Sequence, residues 1–120
     1  MPHLTLDYSS NLTTLDTDRT LLALNRQLVE SGQFAENDIK SRACRLEHFR
    51  IGIEPTPRAF AHVTLALLSG RTPECKQALS ASLLTVLQRA ELALPGTEVQ
   101  LSVEVHDMER ASYSKAVIAD

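Results

Sequence analysis

Residues 1–12 read Met-Pro-His-Leu-Thr-Leu-Asp-Tyr-Ser-Ser-Asn-Leu, and they place a short strand at the very start of the chain. Apolar and polar side chains alternate from position 3 to position 8, which predicts a strand with one buried face. Residues 9–11, Ser-Ser-Asn, have a composition typical of a turn. The amino terminus is therefore expected at the end of a sheet strand.

The residue before this strand, Pro2, has a chemistry that depends on Met1. Within a chain the proline nitrogen is an amide that carries no proton. A small second residue permits removal of the initiator methionine, which would make this nitrogen a secondary amine. An α-amino group titrates near pH 8, and burial or a neighbouring cation lowers its pKa further. The Met1-Pro2 pair thus predicts a general base near neutral pH, with a functionless proline as the alternative.

Five further segments are predicted from periodicity and end signals. Asp16–Glu30 has apolar residues at helical spacing, and Thr72-Pro73 supplies the N-cap and first position of a second helix. Strands are expected over residues 39–53, 59–68 and 98–106. The alternation in residues 39–53 is imperfect, so a bulge or break is expected within that strand.

The order β-α-β-β-α-β predicts an α+β fold in one domain, residues 1–120, made of two β-α-β halves at about residues 1–58 and 59–120. Each helical crossover joins parallel strands, and two helices on one face of a four-stranded sheet form a two-layer sandwich. The other face carries mixed polar side chains, which indicates an oligomer. After the last strand, Tyr113, Val117 and Ile118 are expected to form a small docking segment.

Composition and charge restrict the classes of partner. The formal net charge is −3, so a broad nucleic-acid-binding surface is not expected. Cys44 and Cys75 fit no metal-ligand spacing and are expected to be free thiols. The sequence shows neither a signal peptide nor an apolar run of membrane-spanning length. A cytoplasmic protein with no membrane partner is therefore expected.

Residues 1–12 resemble the start of the 5-carboxymethyl-2-hydroxymuconate isomerases of the tautomerase superfamily, which begin with Pro-His, a strand and a Ser-x-Asn-(Ile/Leu) turn. The resemblance covers most of the chain and fades after His106. It implies a homotrimer of tautomerase-like β-α-β-β-α-β subunits, with the amino-terminal proline as acid/base catalyst and no cofactor or metal. Further similar segments follow in family order: Gly32-x-Phe34, Ile39-Lys40-Ser41-Arg42, residues 59–65 and Gly70-Arg71-Thr72.

The resemblance makes Pro2 the catalytic residue and gives Lys40 and Arg42 the cationic positions of the family's Ile-Arg-Ser-Arg segment. Lys40 departs from the family, because lysine keeps the charge but lacks the planar fork that binds a carboxylate bidentately. Arg71 precedes a helix N-terminus, which favours anions, and His3 lies beside Pro2. Both are candidate substrate-binding residues. For all four side chains around Pro2, a surface or structural role is the alternative.

The predicted function is that of an isomerase. The resemblance implies a small carboxylated substrate such as 5-carboxymethyl-2-hydroxymuconate, a dienol converted to an unsaturated 2-oxo acid in homoprotocatechuate degradation. This proton transfer needs a base of near-neutral pKa and cations for the developing enolate charge, and it requires no metal. Two alternatives stay open: a tautomerase relative with a different 2-oxo acid substrate, and a non-catalytic oligomer that binds a ligand. A free Pro2 amine separates both enzyme hypotheses from the last.

Overall fold

The computed structural model describes residues 1–120, which form two layers. The predicted β-α-β-β-α-β order and the α+β sandwich are confirmed. Two three-residue 3₁₀ segments, Glu36–Asp38 and Arg110–Ser112, precede the second strand and follow the last one. In chain order the longer elements are β1 (His3–Ser9), α1 (Thr17–Glu30), β2 (Lys40–Leu46), β3 (Arg58–Leu68), α2 (Pro73–Gln88) and β4 (Glu98–Met108).

The four strands form one mixed sheet in the order β2-β1-β3-β4. β1 is parallel to β2, β3 is parallel to β4, and the two central strands β1 and β3 are antiparallel. Each helix therefore joins the two strands of one parallel pair, as the sequence predicts. This pairing brings the start of β1 and the end of β3 to the same end of the sheet, where His3 lies opposite Ala66.

Both helices begin where their capping residues predict. The Asp16 side chain accepts a hydrogen bond from the Arg19 amide, and the Thr72 hydroxyl accepts one from the Cys75 amide, both at 3.1 Å. Each bond satisfies one of the amides that a helix N-terminus leaves without an intrahelical partner. After α1, Gly32 adopts a φ of +74°, the left-handed conformation that ends many helices. Neither helix is long and apolar enough to cross a membrane.

One face of the sheet packs against both helices and forms a single core. Alternate residues of β1 and β3 are buried, while the residues between them are only partly covered. The corresponding residues of β4 pack against this core from the sheet edge. The sheet and both helices contribute fully buried residues to this core. They are Leu4, Leu6, Val63 and Leu65 in the sheet, Leu24 and Leu28 in α1, and Leu83 and Leu87 in α2.

The strand expected over residues 39–53 is shorter than predicted, and it ends at Leu46. Leu46 pairs with Ser9, the last residue of β1, so residues beyond it have no neighbouring strand with which to form hydrogen bonds. Residues 47–57 instead form bends that lead to β3, and Ile53 is 87% exposed. Length of the neighbouring strand, rather than the local pattern, therefore determines where β2 ends.

Candidate active site

The amino terminus is anchored to the segment that enters β2. The Met1 amine donates a hydrogen bond of 2.5 Å to the carbonyl of Asp38. The Lys40 amide donates one of 3.1 Å to the carbonyl of Pro2. Pro2 itself is less than 2% exposed. Its nitrogen is therefore held in a defined, largely covered position at the end of the sheet where β1 begins.

Two of the predicted cations lie beside this terminus on the open face of the sheet. Lys40 is paired with His3, and Arg42 with Thr5, so these four side chains point to the face that the helices do not cover. The Lys40 ammonium donates a hydrogen bond of 2.6 Å to the Asp38 carbonyl, the same oxygen that binds the Met1 amine. The structure thus brings together Pro2, His3, Lys40 and Arg42, all of which the sequence singles out.

The surroundings favour the neutral form of an amine at this position. Desolvation first, and then the hydrogen bond and charge of Lys40, lower the pKa of the Met1 amine from 8.0 to about 5. The pKa of His3 is also lowered, first by desolvation and then by the positive charges of the amino terminus, Lys40 and Arg42. An amine in this environment is available as a base at neutral pH.

The C-terminal segment contributes two contacts to the same region. The Tyr113 hydroxyl lies 3.0 Å from Nε2 of His3, and their rings meet edge to face with centroids 6.1 Å apart. The Lys115 ammonium lies 2.5 Å from Oδ1 of Asp38. Tyr113 therefore docks as predicted. Val117 and Ile118 do not, since they are 77% and 99% exposed.

Asp38 and Lys115 are site residues that the sequence did not single out. Asp38 immediately precedes the Ile39–Arg42 segment, so its closeness to that motif was an available signal. Lys115 is separated from Asp38 by 77 positions and has no motif of its own. Only the fold brings the end of the chain back to its beginning.

Arg71 has other contacts. Its guanidinium donates to the side chain and carbonyl of Gln33 at 3.2 and 3.3 Å, and lies 4.8 Å from the ring centroid of Phe34. A further bond of 3.4 Å reaches the carbonyl of Leu68. These contacts tie the end of β3 to the loop after α1, and none of them joins Arg71 to Pro2, Lys40 or Arg42. Its role in binding substrate stays a prediction.

The profile of the 5-carboxymethyl-2-hydroxymuconate isomerase family matches residues 2–120. The chain belongs to this family. The match begins at Pro2 and includes every residue of the cluster described above except Met1. Among curated protein sequences, none matches the chain significantly.

Solved structures resemble this member of the isomerase family over nearly its whole length. A 5-carboxymethyl-2-hydroxymuconate isomerase from Deinococcus radiodurans R1 is 30% identical, with a TM-score of 0.87 over 96% of this chain and 88% of its own. A 5-carboxymethyl-2-hydroxymuconate delta-isomerase has 19% identity and a TM-score of 0.70 over 99% and 89%. A fused 4-OT described as a symmetric trimer has 21% identity and a TM-score of 0.68 over 95% and 91%. Family membership and the Deinococcus radiodurans structure support a tautomerase or isomerase activity, and the other two structures show the shared fold.

A second polar cluster of this family member lies on the open face, toward the β4 edge. The Glu104 carboxylate binds Nε2 of His62 and Nε2 of His106, each at 3.0 Å. The Ser102 hydroxyl lies 2.6 Å from Nδ1 of His62, and the Thr64 hydroxyl donates to Glu104 at 3.3 Å. The hydrogen bonds from His62 and then His106 lower the pKa of Glu104 to about 2. The open face is therefore polar, and its side chains near β4 bind one another.

Proposed function

We propose that this chain is an isomerase that converts a carboxylated 2-hydroxydienoate into an unsaturated 2-oxo acid, with Pro2 as the acid/base catalyst once Met1 has been removed. One observation carries the proposal. The amino terminus lies beside Lys40 in surroundings that lower the pKa of an amine to about 5 when Met1 is present. Removal of Met1 would place the terminal amine on the Pro2 nitrogen, one residue further into the same cluster.

The proposed reaction moves one proton within the substrate. The neutral Pro2 amine takes the proton of the 2-hydroxyl group of the dienol, and the electron pair of that O–H bond forms the 2-oxo group. The diene electrons shift along the chain, and the resulting ammonium returns a proton to the distal carbon. Substrate and product have the same composition, so the step needs no oxidant, reductant or cofactor.

Cations beside the base suit the charge that develops during this step. As the O–H bond breaks, negative charge grows on the enolate oxygen, and preorganised cations stabilise it most when water is displaced. Arg42 is the residue best suited to bind a planar carboxylate, because its guanidinium forms two parallel hydrogen bonds. Lys40 supplies a point charge next to the amine. His3 and Arg71 are the other two proposed substrate-binding residues.

The proposed substrate class is a muconate-type acid such as 5-carboxymethyl-2-hydroxymuconate, formed during the breakdown of aromatic compounds. Family membership over residues 2–120 supports this class. The lysine at position 40, where the family motif has arginine, favours a specific alternative, namely a related 2-oxo acid with fewer or differently placed carboxylates. A panel of mono-, di- and tricarboxylated 2-hydroxydienoates distinguishes the two by their relative kcat/KM values.

We also propose that the chain assembles as a homotrimer. The open sheet face is polar rather than uniformly charged, and the His62 side chain is only partly exposed there. A neighbour of the same fold is described as a symmetric trimer. Equilibrium sedimentation of the purified chain tests this proposal, with a monomer as the result that contradicts it.

The decisive experiment compares the processed chain with one whose Pro2 nitrogen is an amide. Intact mass first establishes whether Met1 is absent. A matched variant with two residues added before Met1 keeps every other side chain but blocks the Pro2 amine. Because positioned acid/base catalysis contributes about 10²- to 10⁴-fold, this variant should lose roughly that factor in kcat on a 2-hydroxydienoate. Equal activity of the two proteins would exclude Pro2 as the base, and inactivity of both would favour the ligand-binding oligomer.

A further inference from the structure

The C-terminal segment, residues 113–118, returns to the beginning of the chain and is bonded there at two points. Tyr113 contacts His3, the residue that follows Pro2, and Lys115 contacts Asp38, the residue that accepts the Met1 amine. Between these two points the segment contains no regular secondary structure. Its position is therefore determined by these side-chain contacts rather than by backbone pairing.

Asp38 links the segment to the proposed site through different atoms. Its backbone carbonyl accepts hydrogen bonds from the Met1 amine and the Lys40 ammonium, while its carboxylate binds Lys115. An ammonium has three N–H donors, and the Asp38 carboxylate occupies one side of the Lys115 ammonium. The Lys115 side chain remains 32% exposed, so donors are left for a further partner.

We propose that Lys115 is a third substrate-binding cation of this site, and that it selects substrates with at least two carboxylates. The inference rests on the proposed function, and it adds a binding residue from the C-terminal segment that distinguishes substrates by their number of carboxylates. Tyr113 acts here as a positioning residue, because its contact with His3 holds the segment against β1.

The charges in the cluster support a ligand with more than one anionic group. Lys40, Arg42 and Lys115 are three cations, and the Asp38 carboxylate, bonded to Lys115, is the only carboxylate that forms a hydrogen bond or ion pair with any of them. Lys40 and Arg42 stand two residues apart on one strand, a separation of about 7 Å, and Lys115 approaches from another element. One carboxylate cannot span all three positions. A second carboxylate on the substrate would balance the positive charge that the first leaves unpaired.

A purely structural ion pair between Lys115 and Asp38 is the competing explanation. Both side chains are about one-third exposed, at 32% and 34%, and exposed pairs contribute little to stability. Removal of such a pair would change kcat/KM by the same factor for all substrates. A binding cation would instead affect substrates according to the number of carboxylates that they carry.

The test measures kcat and KM of wild type, Lys115→Met and Lys115→Arg on a monocarboxylated and a tricarboxylated 2-hydroxydienoate. Hydrogen bonds to charged groups correspond to roughly 10- to 100-fold in affinity. Lys115→Met should therefore lower kcat/KM for the tricarboxylate by about 10- to 100-fold more than for the monocarboxylate, mainly through KM. Lys115→Arg should restore most of the difference. Equal losses on both substrates would overturn the proposal.

Lys76→Met is the matched control. Lys76 also forms an ion pair with an aspartate, 3.1 Å from Oδ2 of Asp107, but it lies on α2 and has no hydrogen bond or ion pair with Asp38, Lys40 or Arg42. This variant should keep the wild-type ratio of the two kcat/KM values, and a ratio that falls as in Lys115→Met would also overturn the proposal. Failure of the proposed function can be distinguished from failure of the Lys115 proposal, because in the first case the wild type would turn over neither substrate.

Discussion

The Lys40 amide donates a hydrogen bond of 3.1 Å to the carbonyl of Pro2, which joins the first residue of β2 to the residue that precedes β1. The Lys40 ammonium extends from the same residue to the Asp38 carbonyl, where the Met1 amine also binds. Two nitrogens that are both cationic when protonated therefore share one acceptor. Their mutual repulsion favours loss of the proton from the weaker base, the terminal amine.

This arrangement predicts how the terminal amine titrates. In the chain that retains Met1, its pKa is lowered from 8.0 to about 5, by desolvation first and by Lys40 second. Lys40→Gln removes one of these causes, so the pKa should rise toward 8.0. A limiting acylating reagent modifies only the neutral α-amine. The pH dependence of this modification rate gives the midpoint of the α-amine titration. In the processed enzyme, the same variant should shift the acid limb of kcat/KM to higher pH, because a smaller fraction of the amine is neutral.

Lys76→Gln is the control for this titration, since Lys76 also carries one positive charge but binds Asp107. The titration midpoint of the α-amine in Lys76→Gln should match that of the wild-type chain. A midpoint near 8 in the wild-type chain would contradict the prediction, and so would an unchanged midpoint in Lys40→Gln.

Two leucines of α1 provide a matched test of the core. Leu24 is fully buried and Leu22 is 52% exposed on the same helix. Leu24→Ala should lower the free energy of unfolding by about 2–5 kcal/mol, because it removes buried methyl groups and leaves a cavity. Leu22→Ala should change it by less than about 0.5 kcal/mol, as is usual for surface positions. Urea unfolding followed by circular dichroism measures both values, and similar losses would contradict the assigned core.

The elements that the sequence predicts well are those whose own side chains determine them. Residues 98–106 alternate without interruption and form β4, while Thr72 and Pro73 fix the start of α2. The end of β2 could not be predicted in this way, because it depends on where β1 stops at Ser9. Local pattern identifies a strand, but pairing with a neighbour sets its length.

In the candidate site too, local sequence predicts some residues and only the fold places the others. Pro2, Lys40 and Arg42 belong to segments with recognisable patterns, and strand register then brings Lys40 beside His3. The contact between Lys115 and Asp38 depends on the course of the chain after β4, which no periodicity describes. Arg71 shows the opposite case, since its motif is clear while its contacts are with Gln33 and Phe34.

Glu104 should make the stability of the chain depend on pH. Its pKa is lowered from 4.5 to about 2 by hydrogen bonds from His62 and then His106. A carboxyl whose pKa is lowered by folding stabilises the fold fully above its ordinary pKa, and this contribution disappears as the pH falls through the lowered value. The difference in unfolding free energy between wild type and Glu104→Gln should therefore shrink as the pH falls from 4.5 to about 2.

Urea midpoints at a series of pH values measure this difference. Glu47→Gln is the control, because Glu47 forms an exposed ion pair with Arg45 at 3.3 Å, outside the histidine cluster. Its curve should run close to that of wild type. If Glu104→Gln also runs parallel to wild type down to pH 2, the two histidines do not stabilise the carboxylate.

Arg42 is expected to bind a carboxylate of the substrate without supporting the fold. Its side chain is exposed on the open face of β2, and the structure gives it no hydrogen bond or ion pair within the chain. Arg42→Ala should therefore keep the wild-type thermal midpoint, while kcat/KM on a carboxylated dienol falls by roughly 10- to 100-fold with the loss of charged hydrogen bonds. Arg45→Ala, on the same strand but paired with Glu47, should keep the wild-type kinetics. Unchanged kinetics in Arg42→Ala would remove this residue from the site and leave Lys40 as the cation next to the amine.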